Sequence, residues 1–210
     1  MSEPLIHPDI AKAHTLPSRF YTDENTFRNL ISGMQNCWYF GAHSSQFAEH
    51  NVIPLTDIET MIGEALMLTN SDRVRCLSNV CTHRGMLVAT EPCNSNTLQC
   101  RYHGRTFGID GCFKNMPEFQ DVEDFPSPSD DLANFPVTNW KGLQLVGGDL
   151  YLDDAMGELE SRLGWLDVES FQHDPSRYRS YEIKANWALY VDNYLEGFHI
   201  PFVHGDLHDV

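Results

Sequence analysis

Between Cys37 and about Leu152 the apolar residues fall into short runs separated by turn formers: CWYFGA, NVIPL, EALMLT, VRCLSNV, TLQCRY, RTFGI, VTNW and GLQLVGG. Runs of this length and spacing predict strands of a small antiparallel sandwich or barrel. Asn70-Ser71-Asp72 sits between two of them as a hairpin turn. Asp110-Gly111, between RTFGI and CFKNM, is a stronger turn signal. The Pro-, Ser- and Asp-rich stretch from Phe125 to Pro136 predicts a surface loop.

On either side the period changes. TDENTFRNLISGM, from Thr22, has an acidic first turn and Phe27, Leu30 and Ile31 at helical spacing, which predicts one short amphipathic helix ending near Gly33. The first 22 residues lack periodicity, and His7 and His14 are assigned to solvent. After Leu152, DDAMGELESRLGWLDV and RSYEIKANWALYVDNYLEGF have helical character. Trp187, Tyr190, Val191, Tyr194 and Phe198 mark one stripe at i, i+3, i+4, i+7 and i+11, expected to be buried as core. These changes divide the chain into an N-terminal segment with a short helix (1–36), a β-rich domain (37–152) and a helical segment (153–210). No internal repeat or low-complexity tract interrupts them.

With 41 % apolar residues over 210 positions the chain can bury a normal core. Thirty acidic residues against 14 Lys and Arg give a net charge of -16, which repels phosphate backbones and anionic lipid surfaces. Neither nucleic acid nor a membrane is expected as a partner. No apolar run approaches the roughly 20 residues of a membrane span, and the first residues lack a signal-peptide pattern, so a cytoplasmic location is expected. The six cysteines could suggest disulfides, but a reducing compartment and two Cys–His pairs at ligand spacing point to a metal instead, and the other four need another explanation.

Two cysteines and two histidines are candidate metal ligands. Cys81-Thr82-His83 and Cys100-Arg101-Tyr102-His103 form C-x-H and, sixteen residues on, C-x2-H. Such a set can hold one tetrahedral zinc, or a [2Fe–2S] cluster with both cysteines on one iron and both histidines on the other. Structural zinc groups its cysteines and histidines as separate pairs, whereas each tight loop here supplies one of each, which favours the cluster. Gly85 and Gly104 follow the histidines where tight turns need unusual φ. Cys76 lies in a strand pattern as a small core residue, and Cys37, Cys93 and Cys112 stand outside the motif.

A second constellation lies in NWALYVDNYLEGFHIPFVH. Glu196, His199 and His204 form E-x2-H-x4-H, with Asp192 one helical turn before Glu196. On a helix Asp192, Glu196 and His199 share a face. Pro201 disfavours the α conformation at Ile200, so His204 is expected to return toward the same point after a break. Two histidines and a carboxylate can hold non-haem Fe(II) facially and leave positions open for dioxygen and substrate.

CTHRG followed by CRYHG resembles the signature of Rieske iron–sulfur proteins, which implies Cys81 and Cys100 on the inner iron and His83 and His103 on the outer one. The chain lacks the additional cysteine pair and the serine of respiratory Rieske proteins, which implies a lower potential, suited to reducing oxygen. It has Arg105 where oxygenase members often have Trp. With E-x2-H-x4-H downstream, residues 37 to 210 are similar to the large subunit of Rieske non-haem iron oxygenases. The resemblance implies an α+β chain: an all-β Rieske domain followed by the beginning of an α+β, helix-grip-like catalytic domain.

It also implies that His199 and His204 bind a mononuclear Fe(II). Glu196, with Asp192, would be an electron bridge from a neighbouring subunit's cluster rather than a ligand. The family's third ligand is a downstream aspartate, so the chain is expected to be truncated unless Asp192, Glu196, Asp206 or Asp209 replaces it. The implied partners are an NAD(P)H-dependent reductase or ferredoxin, further copies in a homotrimer, O2 and a small organic substrate. That substrate is a quaternary ammonium compound or an aromatic, and Glu196 at the bridge favours the former. Two alternatives stand beside this: a Rieske electron-transfer protein without oxygenase activity, and a zinc-stabilised binding module.

Overall fold

The computed structural model describes residues 6–148 and 152–208. By packing, the chain divides into two compact units, one formed by 32–177 and the other joining the segment up to 31 with the residues from 178 onward. Residues 153–177 thus stay with the β-rich unit, and the described residues before 32 share a unit with those from 178 onward.

The first elements are α1 (Arg19–Thr22), α2 (Glu24–Met34), β1 (Trp38–His43), β2 (Val52–Leu55), the one-turn α3 (Glu59–Ile62), β3 (Leu66–Asn70) and β4 (Val74–Ser78). Then follow β5 (Thr97–Gln99), β6 (Thr106–Gly108), β7 (Phe113–Asn115), β8 (Asn134–Phe135), β9 (Val137–Trp140) and β10 (Leu143–Gly147). Helices α4 (Leu152–Leu163), α5 (Trp187–Leu195), α6 (Ile200–Val203) and α7 (Gly205–His208) complete the described chain.

Each of the eight apolar runs yields a strand. Together with β7 and β8, which lie outside those runs, they pair antiparallel among the described residues in sheets ordered β1-β10-β9, β2-β3-β4-β8 and β5-β6-β7. The four-stranded sheet is buried on both faces. Val52, Met67 and Leu77 project into one cluster with Leu98 and Phe107, while Ile53, Leu66, Leu68 and Cys76 project into another with Ala42 and Val146. Successive side chains of a strand point to opposite faces, so a strand covered on both sides reads as the unbroken apolar run LMLT. The turn at Asn70-Ser71-Asp72 closes β3 onto β4, with Asn70 opposite Val74 and Arg75 bonding both carboxylate oxygens of Asp72 at 2.6 and 3.1 Å.

Three expectations need correction. The stretch from Phe125 to Pro136 is not only surface: Leu132 is fully buried in the first cluster and Asn134–Phe135 pairs with β4. The helix expected across RSYEIKANW begins only at Trp187, where Asn186 caps it by accepting from the Ala188 N–H at 2.9 Å. The stripe expected to be core is largely exposed, Tyr194 at 80 % and Phe198 at 87 %. An amphipathic period shows that a face is apolar but not that an element lies over it. Among the described residues no helix is long and apolar enough to cross a membrane.

Candidate metal centres

The two Cys–His loops leave β4 and β5 and share one backbone scheme. The Cys81 N–H donates to the Met86 carbonyl at 2.9 Å and the Gly85 N–H to the Cys81 carbonyl at 3.0 Å. In the second loop the Cys100 N–H donates to the Arg105 carbonyl at 2.8 Å and the Gly104 N–H to the Cys100 carbonyl at 3.0 Å. Both glycines are left-handed, φ 72° and 75°, where a Cβ is disfavoured. Two turns with matching backbone bonds thus present a cysteine at the start and a histidine two or three residues on.

The cysteines are interior, 3 % exposed for Cys81 and 2 % for Cys100, and both thiols are free. His83 and His103 lie further out, with ring centroids 4.8 Å apart and planes at 71°. Tyr102 stacks on His103 at 3.8 Å. Burial pushes the Cys81 thiol up, the adjacent Cys100 adds to this, and Arg105 opposes it. Burial, and then the charges of His103, Arg84 and Arg105, hold His83 below the ordinary imidazole value, in the neutral form a ligand needs.

One atom tests the fit of a metal group directly: Nδ1 of His83 is buried with no hydrogen-bond partner. A buried polar nitrogen without a partner is costly unless something is bound to it. Two inner sulfurs and two outer imidazoles, paired two by two, fit a [2Fe–2S] cluster. Among the described residues no three His, Cys, Asp or Glu converge tightly enough for one shared ion.

The surroundings that hold these loops were not evident from the motif. Asn79, buried before Cys81, donates to the Ala89 carbonyl at 2.7 Å and accepts from the Ala89 N–H at 2.8 Å, tying the ends of the first loop. Arg105 is 3 % exposed and ion-paired with Asp130. A residue with such burial was legible only as a departure at a motif position.

The second constellation differs from its expected geometry. Helix α5 ends at Leu195, and Glu196 is its extended C-cap, φ -107° and ψ 147°, so Glu196 and His199 do not share a helical face. They meet across the turn instead: the Glu196 carboxylate takes the Phe198 N–H at 2.6 Å and His199 Nδ1 through a short contact. The His199 bond, and then the Phe198 N–H, hold the Glu196 carboxyl below its usual range. Pro201 does not break the chain at Ile200. It occupies the first turn of α6, where a missing N–H costs nothing, and Ile200 is helical.

His204 still returns toward His199, ring centroids 5.3 Å apart at 76°. Asp192 is held elsewhere, accepting from the Tyr21 hydroxyl at 2.8 Å, a bond that raises the Tyr21 pKa. Tyr21 lies in a segment assigned no role. Asp206 is exposed on α7, and Asp209 lies outside the described residues.

Residues 37–126 match the Rieske [2Fe-2S] domain family, and 168–210 match the ring hydroxylating alpha subunit catalytic domain family. The carnitine monooxygenase oxygenase subunit of Escherichia coli K12 is 30 % identical over 94 % of this chain and 54 % of that protein. The chloroplastic choline monooxygenase of Spinacia oleracea is 26 % identical over 96 % of this chain and 47 % of that protein. The crystal structure of the quaternary ammonium Rieske monooxygenase CntA with L-carnitine superposes with a TM-score of 0.81 at 26 % identity, covering 94 % of this chain and 57 % of that one. A naphthalene 1,2-dioxygenase, 23 % identical with a TM-score of 0.65, shares the fold. The chain spans about half the length of the curated relatives it matches. With both domain matches in this order and the paired Cys–His loops between β4 and β6, residues 37–126 are similar to Rieske [2Fe-2S] domains and residues 168–210 to the catalytic domain of ring hydroxylating alpha subunits.

Proposed function

We propose that the chain is the electron-receiving part of an oxygenase component. In this reading Cys81, His83, Cys100 and His103 hold a [2Fe–2S] cluster, and His199 and His204 hold a mononuclear iron. The observation that carries it is the unpartnered, buried Nδ1 of His83 on a loop that also holds a buried free cysteine, with a second such cysteine on the matching loop. When bound, the cluster supplies single electrons and the mononuclear iron supplies dioxygen activation and hydroxylation of substrate.

The chain's own residues orient these groups. Glu196 accepts the His199 Nδ1 proton, which fixes the tautomer and leaves Nε2 as the free ligand nitrogen. Tyr21 anchors Asp192 on α5. Glu196 carries electrons from a neighbouring copy's cluster, within an assembly of at least three copies supplied by an NAD(P)H-dependent reductase or ferredoxin. A third ligand to the mononuclear iron comes from outside the described residues.

The carnitine and choline monooxygenases among the relatives support a quaternary ammonium substrate. Iron and acid-labile sulfide are measured in the purified full chain, alongside oxygen uptake with reductase and carnitine or choline. Sulfide with iron in excess of it, and substrate-dependent uptake that Glu196→Gln slows without emptying either metal site, is the expected result. Sulfide without excess iron or uptake would favour an electron-transfer protein. Zinc without sulfide would overturn the reading.

A further inference from the structure

Arg105 is a costly residue to bury. Its guanidinium lies 5.0 Å from the ring centroid of Phe113, 5.5 Å from Phe125 and 5.8 Å from Phe107. Its ion-pair partner is Asp130, and its Nε is buried without an acceptor. A buried ion pair with unsatisfied atoms stabilises a fold no better than apolar packing does, because desolvation offsets the attraction. Packing alone therefore does not account for it.

Its connections lead to both Cys–His loops. The Arg105 carbonyl accepts the Cys100 N–H at 2.8 Å. Asp130 binds the Arg105 guanidinium through its carboxylate, and its own carbonyl accepts from the Thr82 hydroxyl, beside Cys81, at 2.8 Å. The other carboxylate oxygen takes the Ser127 N–H at 2.7 Å, which fixes the residue in its loop. An aromatic run continues from the Arg105 box: Phe125 meets Phe119 at 5.2 Å, and Phe119 meets His83 at 6.0 Å. One ion pair thus links the backbone partner of Cys100 to the backbone partner of Thr82, with the Arg105 guanidinium buried among aromatic rings.

We propose that Arg105 and Asp130 are positioning residues that clasp the two loops and set the cluster's reduction potential with opposite signs. The inference rests on the cluster reading above. Reduction adds one negative charge to the cluster, so the Arg105 cation favours the reduced form and the Asp130 carboxylate the oxidised form. Removing one unit charge inside a poorly polarisable wall changes such an equilibrium on the order of tenfold.

The test is a redox titration of the full, cluster-loaded chain with dithionite, followed by the visible and electron-paramagnetic signals of the cluster. Arg105→Gln is expected to lower the reduced-to-oxidised ratio at fixed poise about tenfold, and Asp130→Asn to raise it by a similar factor. The double variant returns close to the starting protein. Should Arg105→Gln fail to load, Arg105→Lys, which keeps the charge, is expected to load and titrate near the starting protein, and Asp130→Asn alone carries the sign. Single variants that shift the same way, or load normally and do not shift, would overturn the clasp. Starting protein without acid-labile sulfide would instead overturn the cluster reading, and the potential assignment with it.

Discussion

The two loops have the same backbone scheme but different surroundings, so the same substitution should cost different amounts in each. Gly85 and Gly104 are both left-handed, at 72° and 75°. Replacing either by alanine forces a Cβ into that region, at about 1–2 kcal/mol, offset by about 0.4–1 kcal/mol from the smaller entropy of the unfolded chain. At Gly85 the nearest atom to the new Cβ is Val80 Cγ1 at 3.9 Å, an ordinary contact, so Gly85→Ala should cost about 1 kcal/mol net. At Gly104 the Cβ meets Pro117 Cγ at 3.2 Å. A ring tied into the backbone yields poorly, and overpacking adds about 1–2 kcal/mol, for a total of about 2–3 kcal/mol. With a shift of about 2–4 °C per kcal/mol for a chain of this size, Gly85→Ala should lower the Tm by about 3 °C and Gly104→Ala by about twice that or more. Circular-dichroism melting of both variants, each first verified to unfold reversibly, reads the difference. Equal losses, or a larger loss for Gly85→Ala, would refute the assignment of the extra cost to Pro117.

Asn79→Ala should strand the buried N–H and carbonyl of Ala89. At about 1–3 kcal/mol for each unsatisfied group it should destabilise more than either glycine change and reduce cluster loading, measured as sulfide per chain; loading at the normal level would count against its role. In the folded, loaded protein a thiol reagent should label Cys37, Cys93 and Cys112, the exposed cysteines, and spare Cys76, whose burial pushes its thiol up to about 12. All six should react after unfolding, and early labelling of Cys76 would show that the second core cluster opens. Burial alone would raise the Asp130 carboxyl, but the Ser127 N–H and Arg105 outweigh it and lower its pKa. A depressed folded pKa stabilises above the unfolded carboxylate value of about 3.9 and is lost as pH falls through the folded one. Melting temperature should therefore fall less steeply below about pH 4 in Asp130→Asn than in the starting protein; parallel curves would remove Asp130 from the acid response.

Local pattern carried much of the fold and of the first candidate site. The eight apolar runs became strands because a β-type run between turn formers has few other ways to hide its side chains. The candidate ligand pairs stood out because metal sites on tight loops repeat residue types at short spacing, and Gly85 and Gly104 because only glycine enters a left-handed turn without strain. The second site was legible in its residues and not in its geometry. Asp192, Glu196 and His199 have helical spacing, yet the helix stops at Leu195 and the Glu196–His199 contact forms across a turn. Ile200 entered a helix because Pro201 sits in its first turn, where proline's lost donor is immaterial.

What the sequence by itself determined is therefore the short-range part: strands, turns, and which cysteines and histidines stand together on each loop. Only the tertiary structure decided how the described strands divide among their sheets, that Leu132 turns inward, that Tyr21 reaches Asp192 and that the aromatic face of α5 stays exposed. It also decided that Arg105 and Asp130, 25 residues apart, meet inside an aromatic box. The reason is physical: periodicity and turn chemistry act between near neighbours in the chain, whereas burial and ion pairing depend on which remote surfaces arrive at the same place.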